Sequence, residues 1–253
     1  MRISIFQFSP KWVNHQHNLQ DVARTCQSLA GKTDLLLLPE MFSTGYILDT
    51  RLLSSQWQEE MIDALTKLGN EYQMMIGGSI PYFRNGRWYN TFVFVDENGI
   101  IGSYDKIQLF APAGEKAYYS QGDKIQTLSI LNWQIQPLIC YDLRFPYLSF
   151  ASQSPDLLIY SANWPVTRVH HWKSLLIARA IENQCYVIGV NRTGSDANGF
   201  EYPGASMVID YNGIVLSEMD NQPGVVTLSL NAEDMKNFRD KLPFAFDRIN
   251  KYM

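Results

Sequence analysis

The sequence predicts an α/β protein of four layers, an α-β-β-α sandwich with an internal pseudo-two-fold repeat. Three observations carry that expectation. The two halves of the chain echo each other: "TDLLLLPEMF" (33–42) resembles "PDLLIYSANW" (155–164), and "NTFVFVDENGIIGSYDK" (90–106) resembles "GASMVIDYNGIVLSEMD" (204–220). The second pair is offset by 114 residues, with Asp96 matching Asp210 and Gly99 matching Gly213. Several strand candidates, such as 35–38 and 157–160, are apolar at every position, as strands are when both faces are covered. Finally, "DENG" and "DYNG" place an Asn-Gly hairpin signal between β-rich runs in both halves.

Taken in order, the chain opens on an alternating strand at 2–8, weakly echoed by Trp133–Ile139. Helical patterns follow at 14–29 and 56–72 in the first half and at 171–183 in the second. Each half then reads strand, helix, strand, helix, strand and hairpin strand. Two such half-sheets with outer helices suggest two sheets packed face to face. No Gly/Ser/Pro-rich linker or charge block divides the 253 residues, so one domain over 1–253 is expected ahead of two small ones.

Composition narrows the function. The chain is 46% hydrophobic and 18% charged, with a net charge of −4 and no Lys/Arg run, which argues against nucleic acid or an anionic membrane as partner. No apolar run approaches the ~20 residues of a membrane span, and the start alternates instead of forming the apolar core of a signal peptide. Cys26, Cys140 and Cys185 are odd in number and lack CxxC spacing. A reducing, cytoplasmic setting is therefore expected.

There is no GxGxxG after a strand, no GxxxxGK[ST] and no HExxH, and His15, His17, His170 and His171 lack metal-ligand spacing. Neither a cofactor nor a metal is expected. Cys140 stands out because it ends an apolar strand, in "PLICYDLRFP", where Cys26 falls in a helical pattern and Cys185 begins a strand. A nucleophilic cysteine needs a base. His170 or His171 could serve, and so could a carboxylate. Glu40 closes "LLLLPE" and Lys106 closes "GIIGSYDK", both directly after strands. Each alone reads as an ordinary solvated strand end, and Cys140 alone as a core thiol.

Together, "LLLLPEMFSTGY", "YDKIQLF" and "LICYDLRFP" resemble, in order and spacing, the three signature segments of the nitrilase superfamily. The resemblance covers essentially the whole chain and includes "ANWP" (162–165) and "ARAIENQCYV" (178–187). It implies the same sandwich, a Glu40–Lys106–Cys140 triad, and a second glutamate, Glu115, seven residues before the Gly122-Asp123 pair. It also implies a thioester mechanism with the Tyr141 N–H as an oxyanion donor. "CYDLRFP" and "ANWP" are most similar to the omega-amidase branch, whose substrates are 2-oxo acid amides. N-carbamoyl or other aliphatic amide hydrolysis is the alternative within enzymes, and a non-catalytic interaction module is the alternative outside them. Such a substrate needs a cation for its carboxylate: Arg144, Arg168 and Arg192 are candidates, with Arg144 equally able to pair with Asp142. Phe42, Tyr46, Asn163 and Trp164 are expected around the substrate. The resemblance further implies a homodimer or larger homo-oligomer, with the cysteine-bearing segment and the tail "FAFDRINKYM" as candidate interface.

Overall fold

The computed structural model describes residues 1–150 and 155–247. Its strands, in chain order, are β1 (Arg2–Gln7), β2 (Leu35–Leu37), β3 (Met75–Arg84), β4 (Arg87–Asp96), β5 (Gly99–Asp105), β6 (Leu128–Ile130), β7 (Trp133–Ile139), β8 (Leu157–Ala162), β9 (Tyr186–Asn191), β10 (Thr193–Ser195), β11 (Glu201–Pro203), β12 (Met207–Ile209), β13 (Val215–Glu218) and β14 (Gly224–Ser229). The helices are α1 (His15–Ser28), α2 (Ser55–Tyr72), α3 (Val169–Asn183) and α4 (Ala232–Lys241).

Two six-stranded sheets result, ordered β14-β1-β2-β3-β4-β5 and β13-β12-β9-β8-β7-β6. Each has three parallel central strands, then an antiparallel hairpin on one side and an antiparallel strand on the other. The repeat persists in fine detail. Asp34 Oδ2 accepts from the Arg2 backbone N–H (2.7 Å), and Asp156 Oδ2 accepts from that of Gln134 (2.9 Å). Both hairpins shift register at matching positions, between Phe94 and Val95 and between Val208 and Ile209. β14 closes the figure by pairing the end of the chain with its beginning, and the Met1 ammonium donates to the Leu230 carbonyl.

The apolar alternation assigns the faces. Ile3, Ile5, Leu35, Leu37, Phe92 and Phe94 of the first sheet share a core cluster with Leu138, Ile159, Val190 and Met207 of the second. On the other face of the first sheet, Phe6, Leu36, Leu38, Ile76 and Val93 meet Val22, Cys26, Met61 and Leu65 of α1 and α2. On the second sheet α3 supplies Trp172, Leu176 and Ala180. That is the α-β-β-α order. The helix starts follow capping chemistry: Asn14 accepts from the His17 N–H and Ser54 from that of Gln56.

The second half departs from the expected element order. Between β7 and β8 the described residues form two 3-10 turns, Cys140–Arg144 and Pro146–Ser149, where the repeat called for a helix. Pro146 and the crowded aromatic run Phe145, Tyr147 and Phe150 account for this short-pitched geometry. The proposed interface segment around the cysteine is thus turn, and residues 248–253 of the tail lie outside the described residues. No helix among the described residues is long and apolar enough to cross a membrane.

Candidate active site

β1, β2, β3 and β5 run in one direction, so β2 and β5 leave the first sheet at the same edge. The Glu40 and Lys106 segments therefore emerge side by side. β7 and β8 bring Cys140 and Asn163 to meet them from the second sheet. The two sheets are stitched there: Ser161 Oγ donates to the Leu38 carbonyl (2.9 Å), and Asn163 Nδ2 to the Glu40 carbonyl (2.9 Å).

Glu40, Lys106 and Glu115 are essentially inaccessible to solvent, at 0%, 1% and 0% exposure. Lys106 Nζ donates to Glu40 Oε1 at 2.8 Å and lies 3.1 and 3.0 Å from the two oxygens of Glu115. Burial opposes the lysine charge, but the carboxylates of Glu115 and Glu40 outweigh it and hold the pKa well above its usual value. The charged ammonium is thus the favoured form. Glu40 is fixed from four directions: Oε1 also accepts from Asn90 Nδ2 (2.8 Å), and Oε2 accepts from the Asn163 N–H (2.9 Å) and Asn163 Nδ2 (3.2 Å). Glu115 Oε2 accepts from the Phe110 N–H (2.5 Å), which anchors the loop after the lysine.

Cys140 sits at φ +45°, a left-handed conformation that a non-glycine residue adopts only when its surroundings impose it. It opens the 3-10 turn, so the Tyr141 N–H falls in the first turn, where donors have no acceptor within the turn. Burial and the nearby Glu40 carboxylate push the Cys140 thiol well above its ordinary pKa, against the opposing pull of Lys106. Both influences favour the protonated form of the thiol.

These groups floor a cavity of about 430 Å³ lined by Tyr46, Phe110, Tyr141, Arg144, Trp164, Arg168 and Tyr202, among others. Arg144 stacks over the Trp164 ring at 4.8 Å and donates to His171 Nδ1 at 3.2 Å, while Arg168 lies 5.8 Å over the Phe110 ring. Neither arginine has a carboxylate partner among the described residues. Asp142 is not Arg144's partner; it is fully buried and bonded elsewhere. The Tyr46 hydroxyl and Asn163 Oδ1 are buried without a hydrogen-bond partner among the described residues.

Two expectations are corrected by this geometry. Phe42 is a core residue, fully buried against β3 with Leu36 and Leu38 on the helix-covered face, and does not line the cavity. Arg192 is also buried away from the cavity, donating to the Thr193 and Ser195 carbonyls and stacking 4.6 Å over Tyr202. His170 and His171 do not line the cavity either, and among the described residues Cys140 Sγ faces the Asn163 carbonyl (3.9 Å) and not a histidine. Sequence reasoning missed Asn90, which bridges Glu40 and Glu115 at 2.8 and 3.5 Å and is itself held by Ser79. Its signal was a lone amide inside the apolar strand "WYNTFVFV", a place where asparagine is disfavoured.

A carboxylate pair, an ammonium and a thiol meet at one end of this cavity, the kinds of group that nucleophilic hydrolysis uses. Residues 2–240 match the family model described as carbon-nitrogen hydrolase. The chain belongs to the carbon-nitrogen hydrolase family. It is an enzyme acting on carbon-nitrogen bonds other than peptide bonds. Among relatives, it is 36% identical to the omega-amidase YafV of Escherichia coli strain K12 over 96% of this chain and 94% of that one. It is 34% identical to the 2-oxoglutaramate amidase of Bacillus subtilis strain 168, covering 98% and 97% of the two chains. The fold is similar to that of XC1258 from Xanthomonas campestris, a CN-hydrolase superfamily protein, with TM-score 0.93 and 32% identity over 98% and 97% of the chains.

Proposed function

We propose that this carbon-nitrogen hydrolase releases ammonia from the omega-amide of short 2-oxo acids through a cysteine thioester. The observation that carries the reading is the pairing of the buried Glu40–Lys106 ion pair and the partly buried Cys140 with two arginines, free of acidic partners among the described residues, on the walls of the same cavity. The names of the relatives above agree with it.

In this mechanism Glu40 takes the Cys140 proton as sulfur attacks the amide carbon. Charge moves onto the carbonyl oxygen, between Lys106 Nζ and the Tyr141 N–H, and both interactions strengthen as that charge develops. Glu40 passes its proton to the amide nitrogen, the C–N bond breaks, and ammonia departs. Water, deprotonated by Glu40, then attacks the thioester; the C–S bond breaks and the thiol recovers its proton. Glu115 keeps Lys106 charged and in place. Arg144, prealigned by Trp164 and His171, and Arg168 receive the carboxylate at the far end of the substrate, with planar guanidinium groups suited to that ion. Tyr46, Asn163 and Trp164 shape the amide end.

The test is ammonia release across 2-oxo acid amides, simple aliphatic amides, N-carbamoyl amino acids and nitriles. The reading expects kcat/KM for 2-oxoglutaramate-type substrates to exceed that for carboxylate-free amides by at least about tenfold, or ~1.4 kcal/mol. Equal rates on neutral amides would remove the 2-oxo acid assignment. The three free cysteines agree with a cytoplasmic location. A homodimer is the assembly we propose, to be read by light scattering.

A further inference from the structure

Among the described residues three carboxylates are fully buried: Glu40, Glu115 and Asp142. The first two grip Lys106. Asp142 touches neither Lys106 nor the cavity, yet it makes three strong contacts. Its Oδ2 accepts from the Ile139 N–H (2.9 Å) and the Tyr104 hydroxyl (2.8 Å), and its Oδ1 from the Gln108 N–H (2.8 Å). Tyr104 oxygen in turn accepts from the Ile107 N–H at 3.3 Å. One donor immediately precedes Cys140, and the others bracket Lys106 on both sides.

We infer that Asp142 is a positioning residue, whose carboxylate locks the nucleophile elbow of the second sheet to the lysine strand end of the first and so sets where Cys140 sulfur sits relative to Lys106. The inference rests on the amidase reading. The two ends belong to different sheets, and no backbone ladder joins β5 to β7. The elbow is strained at Cys140 and must be held by something outside the ladder. Arg179 Nη2 supports the same turn from α3 by donating to the Leu143 carbonyl (2.8 Å). Only an acceptor-only group with two oxygens satisfies this set of donors. Asparagine has one oxygen, so its amide NH₂ would face either the Gln108 N–H or the Ile139–Tyr104 donor pair. Burial pushes the Asp142 carboxyl up to about 7, against the pull of those donors and of Lys106, so an ionised group here is costly to keep.

The experiment uses the full-length enzyme with Asp142→Asn and, as a gentler probe, Tyr104→Phe, which removes one donor and keeps the buried ring. Three quantities are read: the thermal melt, kcat and KM on the best amide, and the rate of iodoacetamide alkylation at Cys140, assigned by peptide mapping. Asp142→Asn should lower kcat about 10²-fold, the effect of a displacement near 1 Å between reacting groups, with KM within about twofold. Tyr104→Phe should lose about tenfold, and both should slow Cys140 alkylation. A folded variant of either kind with wild-type kcat and alkylation rate would overturn the proposal, as would a loss explained entirely by a smaller folded fraction. If Asp142→Asn does not fold, Tyr104→Phe decides by the same criteria. Alkylation needs no turnover, so a wrong substrate class would silence the kinetic arm alone and leave the positioning claim readable.

Discussion

Lys106 is a buried cation held between two carboxylates, and its identity can be tested at that level. If it meets the developing oxyanion, Lys106→Met should lower kcat by at least ~10²–10³-fold with a small change in KM, because the lost interaction strengthens only in the transition state. Lys106→Arg should fail to rescue, since a planar guanidinium cannot occupy the point 2.8 Å from Glu40 and 3.0 Å from Glu115 that the compact ammonium fills. Steady-state kinetics with parallel melts checks this; near-wild-type kcat in Lys106→Met would remove the oxyanion role. A second expectation concerns the cavity wall. Arg144→Met and Arg168→Met should raise KM for 2-oxo acid amides while leaving a neutral amide within about threefold, the loss of one charge-assisted contact being worth roughly 1.5–3 kcal/mol. An equal effect on both substrate types would make these arginines structural. That Glu40, Lys106, Glu115 and Cys140 would lie close together was legible because each falls in a segment that resembles a family signature. Phe42 was misplaced because an aromatic next to a catalytic residue looks the same in sequence whether it faces the cavity or the helices. Asn90 was overlooked, and Asp142 was offered Arg144 as a partner, because the contacts each actually makes lie 50 and 34 residues away.

At the scale of elements, the lysine strand end is kept in place by a close backbone approach. Gly122 donates its N–H to the Lys106 carbonyl at 2.9 Å, and a Cβ on Gly122 would stand 2.1 Å from the Asp105 carbonyl oxygen. Backbone cannot yield as a side-chain tip can. Gly122→Ala should therefore displace the segment carrying Lys106, lowering both the melting temperature and kcat, whereas Gly86→Ala, in an open turn at φ +75°, should cost stability alone. Melts and kinetics on the pair separate the two. The hairpins at Asn98-Gly99 and Asn212-Gly213 were readable from Asn-Gly, and the three long helices from their apolar periodicity. α4 escaped notice since it buries only Met235 and is held by polar contacts instead, Arg239 reaching Asp156, Pro155 and Gln184. Among the described residues after β7 the repeat is not kept: the 3-10 turns around Cys140 stand where the first half has a helix.

For the molecule as a whole, the repeat supplies two sheets whose parallel cores each end at the same point, so the site is assembled across the pseudo-symmetry. The cost appears as buried charge, and it is measurable. Asp142 is faced by Tyr104 and Lys106 of the β5 segment and by Tyr160 of β8. With its carboxyl raised to about 7 in the folded state and near ~4 in the unfolded chain, its contribution to stability is full below ~4 and is lost as pH rises through 7. Wild-type melting temperature should thus fall between about pH 5 and 8, and Asp142→Asn should flatten that slope; each kcal/mol moves the melt by about 2–4 °C in a chain of this size. An unchanged slope in a folded Asp142→Asn would contradict the assignment. The central claim, that Cys140 carries the acyl group of a 2-oxo acid amide, has its most direct test in ammonia release by wild type and Cys140→Ala side by side on 2-oxoglutaramate, with Cys26→Ala as the control for a buried bystander thiol. The account predicts turnover in wild type and Cys26→Ala and none above background in a folded Cys140→Ala. Substantial ammonia release by Cys140→Ala would contradict it.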